Sequence, residues 1–120
     1  MVQGEKPMTI NQLSQKLDLK IVSNTPKTTE KAVTGVYSCD LLSHAMAKIN
    51  EGDVWITVHT NLNVVAVASL TDCACVLIPE NIEIEKQTVE RAIEKDVILL
   101  SSDKSAAVLC YEIFKLIKDL

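Results

Sequence analysis

The sequence predicts an α/β domain, a mainly parallel β-sheet flanked by helices. Three observations lead there. Hydrophobic residues make up 48% of the chain but aromatics only 3%, so the core has to be built from Val, Ile, Leu and Ala, the set that fills buried parallel strands. β-Branched runs alternate with helix-periodic runs, and the connections are too long for hairpins, which calls for right-handed crossovers. At 120 residues the chain is the size of one domain, so this alternation closes on a single body.

The opening stretch Met1–Met8 has no apolar run and no small-residue cleavage site, so it is not a secretory signal and reads as a flexible segment, 1–8, ahead of one domain at 9–120. The expected location is cytoplasmic. Thr9 can cap a helix in which Ile10, Leu13 and Leu17 share a face, and Leu19–Val22 follows as a short strand. Asn24–Lys31 is a polar, proline-containing loop. Strand–helix units then follow in order: Ala32–Tyr37 with Leu41–Ile49, Val54–Val58 with Leu62–Asp72, Cys75–Ile78 with Ile84–Lys95, and Val97–Leu100 with Lys104–Leu120.

The helices differ in the burial they predict. Ile84–Lys95 has a narrow stripe of Val89, Ala92 and Ile93 and belongs on the surface. Asn61–Leu70 is apolar nearly all round and needs cover on two sides. Lys104–Leu120 carries two apolar rows, Ala107, Cys110, Phe114 and Ile117 on one and Leu109, Ile113, Leu116 and Leu120 on the other. One row can face the sheet; the other needs a groove or a second copy. A homodimer interface is expected at Leu109, Ile113 and Leu116.

Composition excludes several functions. Three glycines, Gly4, Gly35 and Gly52, cannot supply G-x-x-x-x-G-K-[ST] or G-x-G-x-x-G, so a self-contained nucleotide enzyme is not expected. A net charge of −4 lacks the cationic footprint of a nucleic-acid binder. Thr9–Val22 is not followed by a recognition helix, which removes helix-turn-helix. The most apolar window, Val64–Leu70, is far short of the ~20 residues that cross a bilayer. The four cysteines, Cys39, Cys73, Cys75 and Cys110, lack the spaced pairs of metal or cluster sites and read as packing residues, with no metal expected.

Chemistry in such a sheet gathers outside the carboxyl ends of the strands. The loops there are Ser38-Cys39-Asp40, His59-Thr60-Asn61, Pro79-Glu80-Asn81 and Ser101–Ser105. Their hydroxyl and amide side chains are also helix-capping residues. If these caps converge, they form a polar pocket for an anionic or nucleotide-like ligand. The candidate ligand residues are Gly35, Ser38, Asp40, Thr57, His59, Asn61, Ser101 and Ser105. Gly35 lets the backbone approach closely, and Ser38 or Asp40 can cap the helix beyond it. His59, at a strand end, suits anion binding; His44 reads as a surface or interface residue. A Ser38–His59–Asp40 relay has no support beyond the presence of its residue types, and no catalytic residue is assigned.

Laid out in this way, the chain from about Met8 onward resembles a stand-alone DRTGG domain. The matching stretches are Glu30–Val36, Ser38–Ser43, Gly52–Thr57, Asn63–Ala68 and Val97–Ser102 with Lys104-Ser105. Glu30-Lys31 stand where the family has Asp-Arg, Thr34-Gly35 match, and Val36 replaces the second glycine. The resemblance implies a module similar to the amino-terminal domain of HPr kinase/phosphorylase and to modules in some phosphotransacetylases and CBS-domain pyrophosphatases. Those modules are regulatory or dimerising. The function it implies is a non-catalytic, dimeric regulatory module that senses a small molecule, including a nucleotide, or docks to a partner enzyme, with the cofactor unspecified. The alternatives are a pure protein-interaction subunit and, since similar short chains are sometimes labelled so, an iron–sulfur or hydrogenase-related accessory protein.

Overall fold

The computed structural model describes residues 7–118. Strand β1 (Met8–Thr9) leads directly into helix α1 (Ile10–Leu17). Thr9 caps α1 as expected: its Oγ1 accepts from Gln12 N, and the Gln12 side chain accepts from Thr9 N at 3.0 Å, a reciprocal capping box. A left-handed Asp18 ends the helix. Strand β2 (Lys20–Ile21) and a 3-10 turn at Pro26–Thr29 follow.

The run Ala32–Tyr37, expected as one strand, is two. β3 (Ala32–Val33) pairs antiparallel with β1, whereas β4 (Gly35–Ser38) joins the main sheet. The break falls at Thr34, whose N–H donates to Gly52 O at 2.9 Å. The flexible segment expected at 1–8 falls mostly outside the described residues, but its last member, Met8, is paired with Val33 and buried.

From β4 onward the units are regular: α2 (Leu42–Lys48), β5 (Asp53–Ile56), α3 (Asn63–Thr71), β6 (Cys75–Ile78), α4 (Lys86–Glu94), β7 (Leu99–Ser101) and α5 (Ala106–Lys118). The main sheet has the order β2-β7-β6-β5-β4, parallel throughout except for β2, which runs antiparallel to β7. Ser23, fully buried, ties β2 to β7 from below: its Oγ donates to Val97 O at 2.8 Å and accepts from Leu99 N at 2.6 Å.

Side chains alternate across the sheet into two cores. Val54, Ile56, Cys75, Leu77 and Leu100 pack with Ile10, Leu13 and Leu17 of α1 and with Leu109 and Ile113 of α5. Trp55, Val76, Ile78 and Leu99 pack on the other face with α2, α3 and α4, through Ala45, Val64, Val65, Ala68 and Ala92. Helix α3 lies between α2 and α4, which explains its all-round apolar sequence. On α4, Ala92 is buried and Val89 partly so, but Ile93 is exposed and the polar Thr88 is buried instead. Thr88 is satisfied there, donating to Thr60 O at 2.6 Å.

Helix α5 corrects the expected interface. Leu109 and Ile113 are fully buried against the sheet within one chain, and Leu116 is half-buried against the same core. They are therefore core residues, not surface available to a second copy. The exposed apolar row is Ala107, Val108, Tyr111 and Phe114. Leu120, which the sequence places with the buried row, lies outside the described residues.

Candidate ligand site

At the carboxyl ends of β4 and β5 the expected polar residues do meet, but they bond to one another. Asp40 Oδ1 accepts from Thr57 Oγ1 at 2.9 Å and from Val58 N at 3.0 Å. Thr57 is buried and its Oγ1 also accepts from His59 N at 3.3 Å. The His59 Nε2 ring atom sits against the Asp40 carbonyl oxygen. Trp55 Nε1 donates to Cys39 O at 2.9 Å and fixes the same turn. Asp40 is thus a cross-strand brace and not the cap expected for α2, whose N-cap is Leu41 with no side-chain bond.

The other candidates divide by place. Ser38 lies exposed at the end of β4. Asn61 accepts from Asn63 N at 2.9 Å and Ser105 accepts from Val108 N at 3.3 Å, so both serve helix starts. Ser101 is two strands away from β5, in a separate hollow of about 360 Å³ with Lys20, Asn81 and Glu83. Gly35 begins the strand that Ser38 ends, which puts it roughly 10 Å away at the opposite end. The eight do not form one pocket.

The topology explains the scatter. All three crossovers from β4 to β7 place their helices on one face, and only the chain leaving β7 turns to the other. Adjacent loops therefore part company only between β6 and β7, the switch point where an open sheet ordinarily leaves a crevice. Here the two loops are laced together, Glu80 N to Lys104 O at 2.9 Å and Asn81 N to Ser102 O at 2.7 Å. Glu80 and Asn81 take left-handed backbone to do so.

The larger open space is at the amino ends. A basin of about 560 Å³ is lined by Glu30, Lys31, Ala32 and Thr34 before β4, Glu51 and Gly52 before β5, and Asp72 before β6. Lys31 Nζ pairs with Asp72 Oδ1 at 2.6 Å. Backbone positions the wall. Gly52 has φ +88°, and a Cβ there would collide with Thr34 Oγ1. A Cβ on Gly35 would collide with Asp53 Oδ1, while Asp53 Oδ2 holds the turn by accepting from Asn50 N at 2.8 Å. Three carboxylates face one ammonium, so the lining is negative. None of the eight ligand residues expected from the sequence lines this basin; Glu30, Lys31, Ala32 and Thr34 entered only through the family resemblance, and Glu51, Gly52 and Asp72 were missed as site residues. The available signal was Asn50-Glu51-Gly52-Asp53, a polar turn built on a glycine just before a strand.

The cysteines are dispersed. Cys73 packs in one core and Cys75 in the other. Burial pushes the Cys73 thiol up to about 12, and pushes Cys75 and Cys110 upward as well. These thiols stay protonated at neutral pH and are poor ligands. Among the described residues no three His, Cys, Asp or Glu side chains gather as a metal site, and no helix is long and apolar enough to cross a membrane.

No protein-family model and no curated protein matches the chain. Among solved structures it is similar to the CBS and DRTGG domains of the regulatory region of Clostridium perfringens pyrophosphatase, a structure complexed with the activator diadenosine tetraphosphate. The TM-score is 0.66 at 13% identity, covering 91% of this chain and 45% of that one. The chain thus spans less than half the length of that neighbour, and what the two share is a fold.

Proposed function

We propose that the chain is a DRTGG-like regulatory module that binds a small molecule in the amino-end basin, acts without turnover, and controls a partner enzyme. The observation that carries the reading is the basin itself: a hollow of about 560 Å³ is lined by Glu30, Lys31 and Thr34, from the stretch that gives the sequence its DRTGG resemblance. Its volume falls within the ~300–1,000 Å³ of small-molecule sites. The likeness to a pyrophosphatase regulatory region supports the regulatory part.

The lining also sets the ligand class. Carboxylates accept hydrogen bonds from sugar hydroxyls and amines and repel phosphates. Glu30, Glu51 and Asp72 therefore favour the nucleoside end of a nucleotide over its phosphates. Thermal unfolding with adenosine, ATP and diadenosine tetraphosphate tests this. A ligand that prefers the folded state stabilises by about 2.7 kcal/mol at a hundredfold excess over Kd. Adenosine is expected to stabilise more than ATP, and Glu51→Gln is expected to remove the shift. No shift with any of the three, or an undiminished shift in Glu51→Gln, overturns the basin as the site.

A further inference from the structure

The hollow of about 360 Å³ at the β2 edge of the main sheet lies between β2, the end of β7 and the strap of residues 81–84 that leads from β6 toward α4. Lys20 and Ser101 are direct partners across the antiparallel β2–β7 pair, so their side chains leave the same face of the sheet side by side. Val22, two positions beyond Lys20, faces the same way and, like Ile82 and Ile84 of the strap, packs against the core on that side. The strap has a fixed course. Glu80 N and Asn81 N, both on left-handed backbone, donate to Lys104 O and Ser102 O, and Asn81 and Glu83 then complete the lining.

We infer that this hollow binds a free aliphatic amino acid as its zwitterion. Lys20 and Glu83 are its charged lining residues, one of each sign, and Asn81 and Ser101 are its polar ones. Among the described residues none of these four side chains is taken up by an ion pair or a hydrogen bond. The ammonium of Lys20 and the hydroxyl of Ser101 can donate to an α-carboxylate, and the carboxylate of Glu83 and the amide oxygen of Asn81 can accept from an α-ammonium. Val22, Ile82 and Ile84 offer apolar contact to a branched aliphatic side chain. A phosphate is disfavoured because Glu83 would repel it. The volume is within the ~300–1,000 Å³ of small-molecule sites. This inference does not rest on the basin, which lies at the other ends of the strands and has a negative lining.

Thermal unfolding with L-leucine, L-isoleucine and L-valine is the test, with isothermal titration calorimetry for affinity. At least one of the three is expected to raise the unfolding midpoint, increasingly so with concentration. The amide and the N-acetyl derivative of that amino acid each lack one charge, and each should bind the wild-type chain roughly tenfold more weakly or worse. Lys20→Met and Glu83→Gln, both at exposed positions, should each weaken binding by a similar factor with the far-UV circular dichroism unchanged. Glu51→Gln, in the basin, should leave it intact. No shift with any of the three amino acids overturns the inference. So does undiminished binding in either hollow variant, binding of either derivative as tight as that of its parent, or loss of binding in Glu51→Gln. The derivatives act on the wild-type chain, so the test stands even where a variant fails to fold.

Discussion

The two ends of the parallel strands use polar residues in opposite ways. At the carboxyl ends, Asp40, Thr57 and His59 are bonded to one another and to backbone, and the loops beyond β6 and β7 are laced shut. At the amino ends, Glu30, Glu51 and Asp72 border open space, and the wall is shaped by two glycines whose neighbours leave no room for a Cβ. The lesson is that polar loops at strand exits do not by themselves make a site. Hydrogen-bonding capacity satisfied inside the fold is structure, and capacity turned toward a cavity is available to a ligand.

Substitution at Gly52 challenges this contrast most severely. Gly52→Ala combines a left-handed backbone with a collision against Thr34 Oγ1, and is expected to cost about 3 kcal/mol in urea unfolding. Thr34→Ala in the same chain should recover the steric part and leave the backbone part. A neutral Gly52→Ala would mean that the amino-end wall is not rigid. Asp40→Ala tests the other end: two hydrogen bonds are lost and the buried Thr57 hydroxyl loses its acceptor, for about 2 kcal/mol. Adenosine-induced stabilisation should survive it. Loss of that stabilisation in Asp40→Ala would place the ligand at the carboxyl end.

Alkaline pH gives the gentlest probe, and two of the thiols it titrates lie beside the amino end. Cys73 and Cys75 flank Ala74 where β6 begins, and burial raises both thiols above their ordinary value of 9.0. Between pH 9 and about 12 the unfolded chain has lost a Cys73 proton that the folded chain keeps, so stability falls as pH rises, by up to about 1.4 kcal/mol per pH unit for each thiol. Urea midpoints measured above pH 9 should show this decline, and Cys73→Ala should make it shallower. A midpoint that holds steady through this range would mean that the thiols are accessible and the core beneath the basin is loose.

Much of the fold is legible from local chemistry. The Thr9 cap, the limits of β6 and the two-sided cover of α3 all follow from capping, β-branching and apolar periodicity. What is not legible depends on partners distant in the chain. Nothing local marks Thr34 as a break, because β3 turns aside to meet β1, where Val33 pairs with Met8, 25 positions earlier. Two apolar rows on α5 are equivalent by sequence, and only docking on the sheet decides that Leu109 and Ile113 go in while Tyr111 and Phe114 stay out. The basin is assembled from segments around residues 30, 51 and 72, which periodicity cannot bring together. Asp40 has the composition of a cap, and its actual role depends on Thr57 being one strand away.

The Ser23 clasp has a kinetic consequence. It joins a side chain near the start of the domain to Val97 and Leu99 near its close, enclosing a loop of more than seventy residues whose ends are slow to find each other. During translation, β4, β5 and β6 can align successively as they emerge from the ribosome, whereas β2 has to wait until β7 has been synthesised. The earliest strand of the main sheet is thus the last to be seated, and a nascent chain stalled before Val97 carries an unfinished sheet edge for chaperones to shield.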